Sequence, residues 1–324
     1  MTRYALRRLA WLPVILFAVS VIVFVILREL PGQDPAAAIA GQGARPEDLA
    51  AIRHQLGLDQ SLPRQYAEYM KNVLSGSFGH EYNSKREIFC APWNSGDCLF
   101  WDKFEPTAQI IGLGLFFAVL FGVSFGVISA MYRNSVIDYI VRVFAVIFSS
   151  IPEFFLLTLL IVIPSYLWNY AQPSGGYVRL WDDPMHWIRL MLPASFILGI
   201  SGSAGLMRLT RTTMLEVLRS DYIRTAHAKG LRQHTVILAH AMRNAGTPIV
   251  TAIGTAFIAV FGGNIIVERI LSIQGLGLWF FTAALIRDIP VVQFLAVYTA
   301  FIVVLMNLIV DLSYGFIDPR VRYS

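Results

Sequence analysis

Apolar residues in this chain come in long unbroken blocks, not in the alternating or three-to-four-residue spacing of half-buried elements. The blocks cover Leu9 to Leu27, Ile110 to Met131, Tyr139 to Trp168, Trp187 to Met207, Ile249 to Val267 and Val291 to Phe316. Each is close to or above the roughly 20 residues with which a helix, rising about 1.5 Å per residue, crosses about 30 Å of hydrocarbon. The pattern predicts an all-α, polytopic membrane protein of about six transmembrane helices. Arg3, Arg7 and Arg8 precede the first block, which would also suit a secretory leader cleaved at the small residues of Ala36 to Ala40. A leader's apolar core is only about 7 to 15 residues long, and Arg28 and Glu29 stand between this block and those residues, so an uncleaved first span is the better reading.

Between the first two blocks, Pro31 to Pro106 is too long and too polar for a simple hairpin. Pro46 opens a turn with Leu49, Ile52 and Leu56 on one face, closed by Gly57, and Pro63 opens another with Tyr66, Met70 and Val73, closed by Gly76. A small helical subdomain is expected there. Cys90 and Cys98 flank the turn-rich Pro92, Asn94, Ser95 and Gly96. In an exported segment a disulfide between them closes a short loop and is worth about 2 to 3 kcal/mol; two free thiols are the alternative.

Composition agrees with a membrane protein: of 324 residues, 56% are hydrophobic and 15% charged, where a soluble domain carries about 25% charged residues. The formal net charge of +5 raises nucleic acid as a partner. Lysine and arginine, however, cluster beside the apolar blocks, where cytoplasmic loops hold positive charge, so no nucleic acid is expected. Arg133 and Arg142 flank the second connection, and seven basic residues lie between Arg208 and Arg243, whereas Gln172 to Pro184 offers Arg179 against Asp182 and Asp183. Both termini, the Asn134 turn and the basic linker are therefore expected in the cytoplasm, and Pro31 to Pro106 outside.

The basic linker, Arg208 to Pro248, is the long polar stretch among the segments expected in the cytoplasm. Ser220 or Asp221 is a suitable N-cap, Ala226 and Ala228 favour helix, and Lys229 followed by Gly230 is a stop signal, predicting a short helix over Tyr222 to Lys229. A second amphipathic helix is expected over Thr235 to Asn244, with Pro248 beginning the fifth span. Ala226 and Ala228 present little bulk, which would let another protein approach the helix backbone. A hairpin of surface helices that merely joins two spans is the plainer alternative.

Other chemistries find little support. Gly199, Ile200, Ser201 and Gly202 form a GxSG pattern, but among the six histidines only His186 approaches a span, at the far end of the serine's own helix. A serine nucleophile needs a base within hydrogen-bond reach, so close helix packing explains the small residues better. His227, His234 and His240 match no metal-ligand spacing, and no metal site is expected. No GxxxxGK[ST] phosphate loop occurs, so if ATP drives this protein another subunit binds it. Glu153, just after Pro152, falls near the middle of the third block, where an unpaired carboxylate costs several kcal/mol. It either lines a water-filled path or is hydrogen-bonded within the bundle.

DYIRTAHAKGL, with HAMRNAGTP downstream, closely resembles the cytoplasmic loop motif in permease subunits of peptide-type ABC importers, of the dipeptide/oligopeptide permease B type. The resemblance extends through RYALRRL, LGLDQSLPRQY, GSFG, MLEVL, GGNIIVERI, QGLG, RDIPVVQ and NLIVDLSYGFIDPRVR. Departures are His227 where arginine is usual, Gln274 where a proline usually precedes GLG, an extra residue in PGQDP, and an insertion-like Cys90 to Lys103. The resemblance implies a type I importer permease fold: an N-terminal transmembrane helix at 1–30, an extracytoplasmic loop subdomain at 31–105, a five-helix core at 106–318 with the coupling loop at 208–247, and a cytoplasmic tail at 319–324. It implies a homologous second permease, two ATP-binding subunits carrying ATP and magnesium, an extracytoplasmic solute-binding protein and surrounding lipid. No cofactor and no catalytic residue are expected in this chain. Asp221, Tyr222, Thr225, Ala226, Ala228, Lys229 and Gly230 would contact the ATPase. Di- or oligopeptides are the expected substrates, with nickel, glutathione or oligosaccharide as alternatives in the same class. An ion-coupled secondary transporter is the alternative of another class, disfavoured because Glu153 reads as nearly alone among the spans and no internal repeat is visible.

Overall fold

The computed structural model describes residues 2–29, 36, 40, 45–55, 57–90, 97–170 and 176–317. The expected 319–324 tail, the PGQDP segment and the turn around Pro92 to Gly96 lie outside the described residues. Among these residues the secondary structure is helical, with only isolated β-bridges at His80, Glu87 and Cys98. The helices are α1 (Thr2–Glu29), α2 (Pro46–Gln55), α3 (Leu62–Leu74), α4 (Leu99–Met131), α5 (Val136–Ser150) and α6 (Glu153–Trp168). They continue with α7 (Pro184–Leu218), α8 (Asp221–Ala228), α9 (Gln233–Leu271), α10 (Leu276–Ile286) and α11 (Ile289–Ile317). Five described helices are long and apolar enough to cross a membrane, and α5 with α6, bent by 94° at their junction, passes the same test as a pair, giving six if the two form one broken span.

The third span is where the proline acts. Pro152 has no N–H for the helical ladder, and its ring drives the preceding residue out of the α region. Ile151 accordingly sits extended (φ −91°, ψ 122°), α5 stops at Ser150, and α6 restarts at Glu153. One expectation is corrected. Thr235 to Asn244 is not a separate helix ended before Pro248: one helix runs through Gln233–Leu271 with Pro248 inside it, and Val236–Ala241 wound as π-helix. Pro248 removes one ladder bond, but Ala245, Ile249 and Ala252 around it are buried, and that packing holds the helix together. The sequence also gave no sign of α10, which at 11 residues is too short to span. Four of its side chains, Leu276, Leu278, Trp279 and Ala283, are buried.

The chain forms two compact units: Met1–Ala5, Thr107–Ile273 and Leu305–Ser324 in one, Leu6–Pro106 and Gln274–Val304 in the other. The first has two apolar cores. One gathers Ile110, Leu157, Leu190, Leu198, Val260 and Leu271 from α4, α6, α7 and α9. The other gathers Leu206, Met214, Ile223, Val236, Ile237 and Ala241 beneath the basic linker. Gly199 of the GxSG pattern lies against the Gly114 carbonyl and Phe117 of α4, while the Ser201 hydroxyl has no hydrogen-bond partner among the described residues. That is helix packing and not a nucleophile beside its base.

The second unit is built on Ile88, Leu99, Phe100, Trp279, Val291 and Phe294. The short helices expected before α4 are present, followed by Gly57 (φ +62°) and Gly76 (φ +88°). Asp288 is buried at the start of α11, where its carboxylate accepts from the Tyr82 N–H at 2.6 Å. Burial pushes its carboxyl up to about 6. Cys90 and Cys98 are joined by a disulfide with Cα atoms 5.9 Å apart. Maleimide should therefore leave the mass of the denatured, unreduced protein unchanged and label it only after reduction; labelling before reduction would show free thiols.

Candidate functional site

The polar linker folds into a helix pinned by one face. Ser220 (φ −70°, ψ 151°) occupies the N-cap position of α8, but its hydroxyl donates back to the Val217 carbonyl at 2.6 Å instead of capping the first turn. Asp221 supplies the negative charge that suits a helix start, and its 3.6 Å pair with Arg224 is exposed on both sides and so adds little. At the other end Lys229 is the C-cap and Gly230 takes a left-handed conformation (φ +77°). The Gly230 N–H donates to the His227 carbonyl at 2.9 Å and the Leu231 N–H to the Ala226 carbonyl at 3.3 Å, the paired bonds of a Schellman stop. A non-glycine residue there costs about 1 to 2 kcal/mol through its Cβ. Beyond its own backbone and chain neighbours the space is open, with no other atom within 4 Å of where that Cβ would stand.

Ile223 and Ala226 are buried against Val236, Ile237 and Ala241, and the Asn244 side chain donates to the Tyr222 hydroxyl at 2.8 Å, so α8 is tied to the first turns of α9. Ala226 thus faces its own subunit. Residues two apart on a helix point to nearly opposite sides, so Ala226 and Ala228 do not form one surface. Asp221, Tyr222, Thr225, Ala228, Lys229 and Gly230 are exposed, and their one-turn spacing puts Asp221, Tyr222, Thr225, Ala228 and Lys229 on one face. His227 is exposed as well, and no metal-binding group of three occurs among the described residues.

Glu153 is the first residue of α6, directly after the break, and is half-buried; Pro152 beside it is exposed. The Glu153 carboxylate passes over Gly263 of α9, where any Cβ would collide with its Oε2. It makes no hydrogen bond or ion pair with a described residue. The Glu153 carboxylate is therefore without a protein partner among the described residues.

Two other buried acids within helices went unread in the sequence. Asp138 on α5 is fully buried and takes both arms of the Arg211 guanidinium of α7, at 2.8 and 2.9 Å. Glu268 on α9 is fully buried and accepts from Thr107 at 2.5 Å and from Asn264 at 2.6 Å. The apolar blocks begin at Tyr139 and end at Val267, one residue short of each acid, because a hydropathy run is cut where a charge appears. The signals were nevertheless present: Asp138 has Arg142 one turn on, and Glu268 has Asn264 one turn back.

Comparison with known proteins now places this arrangement. The family model described as binding-protein-dependent transport system inner membrane component matches residues 122–323, and its N-terminal companion model matches residues 1–92. The chain belongs to this family. It is similar to a putative peptide transport system permease protein of Brucella abortus (strain 2308), 36% identical with 100% of both chains covered. It is also similar to a dipeptide transport system permease protein of Alkalihalophilus pseudofirmus, 35% identical with 100% of both covered. A glutathione transport system permease protein of Escherichia coli O1:K1 / APEC is 37% identical, again over 100% of both. The fold is shared with the MetNI methionine ABC transporter in an inward-facing conformation, at a TM-score of 0.55 and 18% identity, over 68% of this chain and 96% of that one.

The permease is thus the membrane component of a binding-protein-dependent ABC importer of the inner membrane, and is not itself an enzyme. Such a component works with an ATPase and a binding protein. Family membership sets aside the secondary transporter. The count of buried charges does not, since Asp138 and Glu268 join Glu153 within the helical bundle.

Proposed function

We propose that this permease imports di- or oligopeptides, pairing with a homologous second permease and two ATP-binding subunits and receiving substrate from an extracytoplasmic binding protein. The exposed face of α8, from Asp221 to the open turn at Gly230, is the observation that carries this reading: a short helix anchored on one side and bare on the other suits docking into an ATPase. Relatives named for peptide and dipeptide transport support the substrate. Glutathione is the second reading, favoured by the similarly identical glutathione permease, and it too is a small peptide. Nickel or oligosaccharide would be revealed as the ligand bound to a copurified binding protein.

In this reading both termini and the 208–247 coupling loop are cytoplasmic, residues 31–105 form the exported subdomain, and 106–318 is the permease core. Asp221, Tyr222, Thr225, Ala228, Lys229 and Gly230 meet the ATPase, and Ala226 holds the helix in place from behind. Closure of the ATPases moves α8 and reorients the spans between inward-open and outward-open states. The unpartnered Glu153 carboxylate, at the break made by Pro152, lines the path; discontinuous spans are a common setting for substrate sites in transporters.

Gly230→Val should abolish ATP-coupled uptake of a labelled dipeptide while the subunit still reaches the membrane, and Gly230→Asn, which tolerates the left-handed turn, should keep a substantial part. Normal uptake by the valine variant would remove the coupling role. Glu153→Gln keeps the shape and deletes the charge, so uptake should fall and its dependence on pH should change. If both rate and pH profile stay as in the wild type, Glu153 does not line the path.

A further inference from the structure

Asp138 is a heavily engaged carboxylate. Besides the two-armed bond from Arg211, it accepts from the Ser129 hydroxyl at 2.6 Å and the Asn134 N–H at 2.9 Å, and the Arg142 Nε lies 3.4 Å away. Those donors come from the last turn of α4, the left-handed turn at Asn134 (φ +61°), α5 itself and α7. A second, weaker link lies further along, where the exposed Arg208 of α7 makes a single hydrogen bond to the neutral Ser149 hydroxyl of α5 at 3.2 Å. The two contacts tie α5 along its length to α7.

What α5 and α7 lead to gives the pair its meaning. α7 runs on through Leu218 into α8, and Met214, one turn past Arg211, shares an apolar core with Ile223 and Ala226 of α8. α5 ends at Ser150, immediately before the break at Ile151 and Pro152. A buried ion pair is seldom worth more than an apolar pair of the same volume, because both charges lose their water; its particular contribution is geometric, since a planar fork on a carboxylate fixes distance and orientation together. We propose that the Asp138–Arg211 pair is a positioning joint that fixes α5 to α7, so that displacement of α8 is carried to the broken span. The proposal rests on the reading of α8 as the ATPase-contacting helix.

The test uses the assembled complex of permeases and ATPases in nanodiscs, with spin labels on cysteines introduced at the exposed positions Val162 of α6 and Ile258 of α9. Distances are measured without nucleotide and after trapping with ATP and vanadate. In the wild type the distance should change on trapping. Asp138→Leu/Arg211→Met removes both charges together and keeps the volume filled; it should assemble and hydrolyse ATP at close to the wild-type rate, yet lose the nucleotide-driven change. Arg211→Lys, which keeps the charge and loses the fork, covers the case in which the double variant fails to assemble, and it should show a reduced change. A wild-type distance change in either variant overturns the joint. Failure of even the wild-type permease to bind ATPase or respond to nucleotide would instead overturn the reading of α8.

Discussion

The burial of Ile223 and Ala226 is the contact on which the rest depends. These two side chains hold an otherwise polar, exposed helix against α7 and α9, and without them α8 would be a loose linker. Eight residues are too few for a helix to be stable in water alone, so α8 owes its existence to this docking. One face is thereby consumed within the subunit, and the opposite face is left for a partner. The Schellman stop at Gly230 fixes where the helix ends, and the Asn244–Tyr222 bond adds a polar contact to the apolar one.

Inside the bundle the governing constraint is the cost of unsatisfied polar groups in hydrocarbon. Asp138 meets it with donors from α4, the Asn134 turn and α7, and Glu268 with Thr107 of α4 and Asn264 one turn back on its own helix, so both tie helices together. Glu153 does not meet it among the described residues. Its carboxylate, at the restart of a span interrupted by Pro152 and given room by Gly263, is left for water, a partner subunit or a solute. The contrast between satisfied and unsatisfied acids separates structural charges from a functional candidate.

Much of this was legible in the sequence because it follows from local rules. Long apolar blocks predict the spans, Pro46, Gly57, Pro63 and Gly76 punctuate the loop helices, and Lys229–Gly230 marks the end of α8. What was misread depended on tertiary packing. Pro248 reads as a helix boundary, yet buried neighbours carry α9 through it. α10 is too short to register as a span, and only its burial identifies it as core. Ala226 and Ala228 look alike in sequence, and only the direction in which the helix docks separates the buried anchor from the exposed residue. Asp138 and Glu268 were hidden because hydropathy blocks end at charges, while the donors that let those charges stay buried, Arg211 and Thr107, lie far away in the chain.

The central claim is that the exposed face of α8 is where this permease meets its ATPase. A photo-crosslinking amino acid placed at Lys229, on that face, tests it most directly in the intact complex. Irradiation should join the permease to an ATP-binding subunit, with a yield that changes when ATP and vanadate are added, whereas the same probe at the exposed Trp181, before α7, should give no such product. A probe at Lys229 that crosslinks only to lipid or to the external binding protein would contradict the account.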